Sequence, residues 1–313
     1  MDVIQIQDAA IDEYMSTVLL TTMKDVNLLG NIIVNADSIA APAMQTAWKI
    51  QSYIGRTDTP IGLSGARGLN PFPWSYRSDC VNEGKIAVLK PIAGNPSWPP
   101  FPDGDQLLLK LLQDAEDPVT LLVTSPMTPL STLLAANPAL VSKIEQIVWM
   151  GGAIKVNGNL DPATVPNPPW NNCAEWNAFW DPMSVDWIFN NTSFPITVFP
   201  LDMTNKAAIT TSFLTSLANQ SGQYKLSALG FESYLLVGWE TFYDMWDVVT
   251  TCYLTRPDLF KPPTRMALGI ETEFGDHQGC ISKKKKGRAA DVVFNFSDDG
   301  SAFYDYVLGQ FKR

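Results

Sequence analysis

Three carboxylates, Asp8, Asp12 and Glu13, crowd into a stretch where a strand-like run gives way to a helix-like one. Residues 3–7 alternate β-branched and polar side chains, and Met15, Val18 and Leu19 recur at helical spacing. The acids therefore belong to the C-terminal end of a strand and the first turn of a helix. A helix start welcomes acids through its dipole and free N–H groups, which accounts for Asp12 and Glu13 without any function. Oxygen ligands gathered at that edge of an α/β sheet equally suit a hard cation, with a ligand in the crevice beyond the strands. On these residues alone both readings stand.

The rest of the chain repeats the pattern. Residues 26–34 read as a buried strand, ended by Asn35-Ala36-Asp37-Ser38 before a helix that runs to about Ile54, so Asp37 lies at a second strand end. A short strand at 60–64 leads into a Gly- and Pro-rich loop over 65–77, the kind of segment that carries ligand contacts. Residues 78–104 read as irregular and proline-rich, a lid or an ordered surface loop. Helix at 105–113, strand at 119–124, helix to about Ala136 and strand at 147–150 follow, and a strand at 196–201 ends in Asp202-Met203-Thr204. The later third is helical, with β-rich runs at 265–271 and 290–296 and a final amphipathic helix. Strand and helix alternating at this pitch mean right-handed crossovers and a mostly parallel sheet. The expected class is α/β, with a mostly parallel central sheet flanked by helices, in one domain over 1–313.

Composition narrows the partners. The chain is 46% hydrophobic and 17% charged, as globular chains are. A net charge of −10 argues against a nucleic-acid partner, because phosphate binding needs a basic face. The one basic run, Lys283-Lys284-Lys285-Lys286, reads as a solvated loop. No apolar run reaches bilayer length, so no membrane partner is expected. Cys80, Cys173, Cys252 and Cys280 form no C-x-x-C pair, so neither a zinc site nor a disulfide framework is indicated. A cytoplasmic, reducing location is expected, or a secreted or periplasmic one if a signal peptide has been removed. A single histidine, His277, limits triads and multi-histidine metal sites, and its loop surroundings mark it as a surface residue.

Taken in order, Asp8-x-x-x-Asp12-Glu13, Val123-Thr124-Ser125-Pro126, Met150-Gly151-Gly152-Ala153, Ala174-Glu175-Trp176-Asn177 with Trp180-Asp181-Pro182, and Trp246-Asp247 resemble the nucleoside hydrolases over nearly the whole chain. Asn70-Pro71-Phe72-Pro73, followed by an aromatic at Tyr76, resembles the purine-preferring branch. The resemblance implies Ca2+ at the sheet's C-terminal edge and hydrolysis of the N-glycosidic bond of a ribonucleoside. It implies Asp8 as metal ligand and general base, Glu13 and Asp247 as further ligands, and a backbone carbonyl from Thr124. It implies Asp12, Asp37, Asn159, Glu175 and Asn177 at the ribose hydroxyls. Many members carry a histidine where this chain has Trp246; here Trp246 and Tyr76 would sandwich the leaving base, which favours purines.

The departures fall in the acidic motif. Members usually read Asp-x-Asp-x-x-x-Asp-Asp, often with Pro-Gly after the second acid; this chain has Ile6, Ala9, Ala10 and a longer Glu13. Loss of an acid supporting the metal shell typically weakens a site by a factor of roughly 10 to 100. The expected activity is calcium-dependent hydrolysis of ribonucleosides, with purine ones as the expected substrates. The alternative is a related protein that binds or cleaves another sugar-containing ligand, or one that binds without turnover, with a homodimer as the assembly to look for.

Overall fold

The computed structural model describes residues 1–160, 171–238 and 243–313. The chain enters through β1 (Asp2–Gln7), α1 (Ile11–Thr22), β2 (Asn27–Ile33), α2 (Ala40–Ile54) and β3 (Ile61–Leu63). Next come α3 (Asp79–Glu83), α4 (Gly104–Asp114), β4 (Val119–Thr124), α5 (Thr128–Ala136) and β5 (Ile144–Met150). Then follow α6 (Trp176–Trp180), α7 (Pro182–Asn191), β6 (Ile196–Phe199), α8 (Leu201–Thr204), α9 (Thr211–Ser221) and α10 (Lys225–Val237). The chain closes with α11 (Trp246–Cys252), β7 (Thr264–Ile270), β8 (Ile281–Lys283), β9 (Arg288–Val292) and α12 (Ser301–Gln310).

Among the described residues one nine-stranded sheet runs β3-β2-β1-β4-β5-β6-β9-β7-β8. It is parallel from β3 through β9, and β7 pairs antiparallel with both β9 and β8. The chain builds outward from β1 through β2 to β3, then crosses back to lay β4 on the other side of β1. That reversal opens a crevice beyond the C-terminal ends of β1 and β4, where α/β sheets bind ligands. No described helix is long and apolar enough to cross a membrane.

Both faces of the sheet are covered. Ile4 and Ile6 pack with Val123, Trp149 and Val198 on one face, while Val3 joins Met15, Val18 and Leu19 of α1 on the other. Ile6, where the resemblance would place an acid, is fully buried in that apolar layer. An unpaired carboxylate would be costly there. The α1 face also buries polar groups, so they must find partners. Gln5 Nε2 donates to Ser16 Oγ, Gln7 Nε2 donates to Thr17 Oγ1 and Asn31 Oδ1, and Ser16 Oγ meets Thr251 Oγ1. Helix α1 buries residues on all its faces, as a helix enclosed between sheet and outer helices must.

Three local expectations differ from the structure. Residues 78–104 are not wholly irregular: Asp79–Glu83 forms α3, which buries Cys80 and Glu83. The strand expected to reach Leu201 ends at Phe199, because Pro200 starts the short helix Leu201–Thr204. The cysteines are not all free, since Cys173 and Cys280 form a disulfide with their Cα atoms 5.2 Å apart across a sequence separation of 107. Their spacing carried no sign of this, because the fold alone brings the two loops together. The lysine run is exposed, as expected, but Lys283 ends β8 and only Lys284, Lys285 and Lys286 lie in the turn after it.

Candidate active site

The strand-to-helix turn that carries the acids is made by Ala9, in the left-handed region at φ 67°. Such a conformation costs a non-glycine residue on the order of 1 kcal/mol or more. It turns Asp8 off the end of β1 and starts α1 at Ile11, leaving Asp12 and Glu13 in the first turn. Thr124 ends β4 opposite Gln7, so the two strand ends lie side by side beneath Asp8.

Five acids meet here. Asp8, Asp12, Glu13, Glu175 and Asp247 are each at least 94% buried by relative exposure, the most exposed being Glu13 at 6%. Glu13 lies beside both Asp8 and Asp247, and Asp8 Oδ2 accepts from the Asp37 amide at 3.3 Å. Desolvation is the main influence on each. It lifts Asp8 to about 6 against the lowering influence of Glu13 and the Asp37 amide, and Glu175 to about 7. Glu13 and Asp247 rise well above the carboxylate range through burial and then through their acidic neighbours. Among the described residues the ion pairs Arg56–Asp58, Lys110–Asp114, Arg256–Asp258 and Arg265–Asp291 all lie outside this cluster. Among the described residues the acids therefore lack a basic partner of that kind.

The donor set fits a hard cation. Glu13 Oε2 and Asp247 Oδ1 are buried without hydrogen-bond partners, as is Thr124 Oγ1, and bare buried carboxylate oxygens call for a positive charge. The three carboxylates are not the tightest group of metal-capable side chains. Among the described residues the group that closes within 4.8 Å is Cys173, His277 and Cys280. The bare oxygens and the uniformly oxygen chemistry make the acidic corner the fit for a hard ion, whereas Cys173 and Cys280 are bonded to each other and offer no thiolate to a metal.

The expected ribose contacts divide. Asp12 is engaged by protein: Oδ1 accepts from Tyr234 Oη at 2.6 Å, and Oδ2 accepts from the Asp247 and Val248 amides at 2.6 and 2.9 Å. It caps α11 and so fixes Asp247. Glu175 similarly caps α6, with Oε1 accepting from the Asn177 amide and Oε2 from the Gly152 and Ala178 amides. A carboxylate has about four acceptor directions, so both acids keep capacity for a ligand hydroxyl. Asn177 Nδ2 donates to the Met150 carbonyl. Asn159, although exposed, accepts the Trp176 amide on Oδ1 and so belongs to the same loop assembly. Asp37 lies beside Asp8.

The two aromatics of the expected sandwich sit in separate clusters. Tyr76 packs edge-on to Phe72 and Trp176, and Trp246 packs against Tyr243 at 4.7 Å, with Met150, Ala153 and Leu201 around it. The Trp246 indole N–H is buried without a partner. Arg77 anchors the Tyr76 segment by donating to the Ser38 carbonyl and Asn35 Oδ1. Tyr234, Arg77 and the Cys173–Cys280 pair escaped the sequence reading. Tyr234 lies inside a helix with no local mark of its partner 222 residues away.

Comparison with known proteins agrees with this architecture. The sequence profile described as inosine-uridine preferring nucleoside hydrolase matches residues 3–305. A protein of Shewanella woodyi named pyrimidine-specific ribonucleoside hydrolase is 30% identical over 277 residues, 84% of this chain and 83% of its own length. The crystal structure of an inosine-uridine preferring nucleoside hydrolase from Bacillus anthracis is 28% identical and superposes with a TM-score of 0.87, covering 99% of both chains. A purine-preferring ribonucleoside hydrolase from Gardnerella vaginalis shares the fold at a TM-score of 0.77 and 15% identity, covering 100% of this chain and 99% of its own. The chain therefore belongs to the inosine-uridine preferring nucleoside hydrolase family and is an enzyme of ribonucleoside hydrolysis.

Proposed function

We propose that the protein hydrolyses the N-glycosidic bond of purine ribonucleosides with the help of Ca2+. The observation that carries the metal-assisted reading is the cluster of five buried acids with bare oxygens on Glu13 and Asp247 and no ion-pair partner among the described residues. Asp8, Glu13, Asp247 and the Thr124 carbonyl would hold the ion, which supplies the positive charge that keeps these acids ionised and polarises the attacking water.

Asp8 accepts a proton from that water. Burial lifts its carboxyl to about 6, and the charge of a bound cation would oppose that rise and hold it in the ionised form that can take the proton. Glu175 and Asn177, with Asn159, Asp37 and Asp12 around them, receive the ribose hydroxyls. The negative charge of the acidic corner favours the oxocarbenium-like sugar that develops as the bond to the base breaks. Trp246 and Tyr76 bracket the base. Trp246 stands where many relatives carry a histidine, so no imidazole is available there to protonate the leaving group. A purine can take its proton from solvent on a ring nitrogen, and its larger ring gains more from stacking.

One observation favours pyrimidine ribonucleosides instead: the curated relatives at about 30% identity are named pyrimidine-specific. Reducing-sugar release from inosine and uridine, with calcium and with a chelator, separates the readings. Release from inosine that stops on chelation and in Asp8→Asn supports the proposal. Equal kcat/KM on the two substrates, or a preference for uridine, removes the purine assignment. Turnover undiminished by chelation removes the cation.

A further inference from the structure

The loop that carries Glu175 and Asn177 is tied at one end to the hairpin between β7 and β8. Cys173 and Cys280 are covalently joined there, and Ala174 pairs with Cys280 through a backbone bridge. The tie continues on both sides. The Gly158 and Asn159 amides donate to the Asn172 and Ala174 carbonyls, and Asn171 Nδ2 donates to the Gln278 carbonyl. Two residues beyond Cys173, Glu175 reaches the Gly152 amide at the end of β5, and Asn177 reaches Met150. The disulfide is thus separated from the groups that meet the ribose by one residue of chain and a few backbone hydrogen bonds.

The sulfurs are not sealed in the core. Cys173 is partly buried and Cys280 lies at the border between buried and partly buried, and the exposed His277 brings Nδ1 to 3.6 Å from Cys173 Sγ. By contrast the free thiols Cys80 and Cys252 are buried. His277 and Cys280 share one tight turn, closed by the Cys280 amide donating to the His277 carbonyl at 3.0 Å, with Gly279 in the left-handed conformation at φ 83°. The imidazole is therefore held against the sulfur pair by the backbone of its own turn. A ring nitrogen that donates to a sulfur stabilises it as a thiolate, and a stabilised thiolate is the better leaving group in disulfide exchange.

We propose that Cys173–Cys280 is a reversible thiol-exchange site, served by small thiols of the glutathione class, whose closed form holds the ribose-binding loop in place. A thiolate RS⁻ attacks Cys280 Sγ, forming a mixed disulfide and releasing Cys173 as the thiolate beside His277. A second RS⁻ attacks the external sulfur of the mixed disulfide, forming RSSR and freeing Cys280. The two protons of the two RSH molecules end on the two cysteines, and RSSR drives the same steps in reverse. Opening the bond leaves the loop held by hydrogen bonds alone, which lets Glu175 and Asn177 drift from the sugar. The effect on turnover rests on the ribose-binding role proposed for those two residues; the exchange chemistry does not.

The test equilibrates the purified enzyme in graded ratios of reduced to oxidised glutathione. Free thiols, Tm and KM for the ribonucleoside it cleaves best are then read on the same samples. Alkylation under denaturing conditions without reductant should block Cys80 and Cys252 and spare Cys173 and Cys280 until a reductant is added. Across the series, opening should lower Tm and raise KM by about tenfold, the scale expected when a group outside the reacting atoms shifts a binding residue. Cys173→Ser and Cys280→Ser should match the opened enzyme at every ratio. His277→Ala should keep the KM of the closed enzyme and slow its opening. Four free thiols before reduction would overturn the proposal, as would zinc held by Cys173, His277 and Cys280 in the purified protein. So would a Tm and KM that ignore the ratio while the thiols visibly open. A thiol and Tm transition with turnover at no ratio would instead convict the functional reading.

Discussion

Tyr234 Oη donates to Asp12 Oδ1 across 2.6 Å, joining α10 to the acidic corner through the carboxylate that caps α11. Hydrogen bonds to a charged group are worth roughly 1.5–3 kcal/mol, so Tyr234→Phe should lose about that much stability. Because Asp12 also holds the amides of Asp247 and Val248, the variant should cost kcat/KM as well as stability. Urea denaturation and steady-state kinetics check both. A wild-type midpoint would show that Asp12 is held well enough by the two amides alone.

Calcium should raise Tm. Binding to the folded state at a hundred times Kd adds about 2.7 kcal/mol, and the bare oxygens of Glu13 and Asp247 are where it would act. Thermal melts with and without calcium, repeated for Asp247→Ala, provide the comparison. The wild type should shift and the variant should not; an equal shift in both would move the ion elsewhere.

Glu83 gives a pH dependence remote from the acidic corner. Burial lifts it from the ordinary 4.5 to about 8, against the hydrogen bond from Ser233 Oγ at 2.7 Å. Below pH 4.5 folded and unfolded chains both hold the proton, and its contribution to stability is fully present. Between 4.5 and about 8 only the folded chain keeps it, so stability falls by about 1.4 kcal/mol per pH unit from this group, and the loss levels off above 8. Glu83→Gln, which stays neutral, should match the wild type near pH 4.5 and exceed it at pH 8. Denaturation midpoints for the pair at the two pH values test it, and a difference that does not grow with pH would show that Glu83 is ionised in the fold.

Base stacking should be uneven. Trp246 has the larger ring and a buried indole N–H without a partner, whereas Tyr76 shares its cluster with Phe72 and Trp176. Trp246→Ala should therefore cost more kcat/KM on inosine than Tyr76→Ala, with stacking worth on the order of 1–3 kcal/mol per base. The reverse order would place the main stacking face on the 65–77 loop.

Ala9 should refuse proline. At φ 67° it lies outside the range near −65° that the proline ring allows. Ala9→Pro should destabilise by more than about 1 kcal/mol and disturb Asp8, whereas Ala9→Gly should be tolerated. Melting temperatures of the two variants decide this, and a stable Ala9→Pro protein would mean the turn can be rebuilt with negative φ.

The elements that position the acids could be read from the sequence because their signals are local. Alternation in β1, the apolar runs of β2 and β4 and the helical spacing after Asp12 each lie within one short window, and period alone separates strand from helix. Asp8 at a strand end and Asp12 and Glu13 in a helix start follow directly. Only the tertiary structure decided what those side chains meet. Asp12 is a helix cap because α11 arrives 235 residues later with free amides, and Glu175 is a cap because β5 and α6 converge on it. The Cys173–Cys280 bond spans 107 residues and depends on two loops reaching the same end of the sheet. Partners so distant leave no pattern in either neighbourhood, since a residue's type reports its own chemistry and only the fold sets what lies within hydrogen-bonding distance.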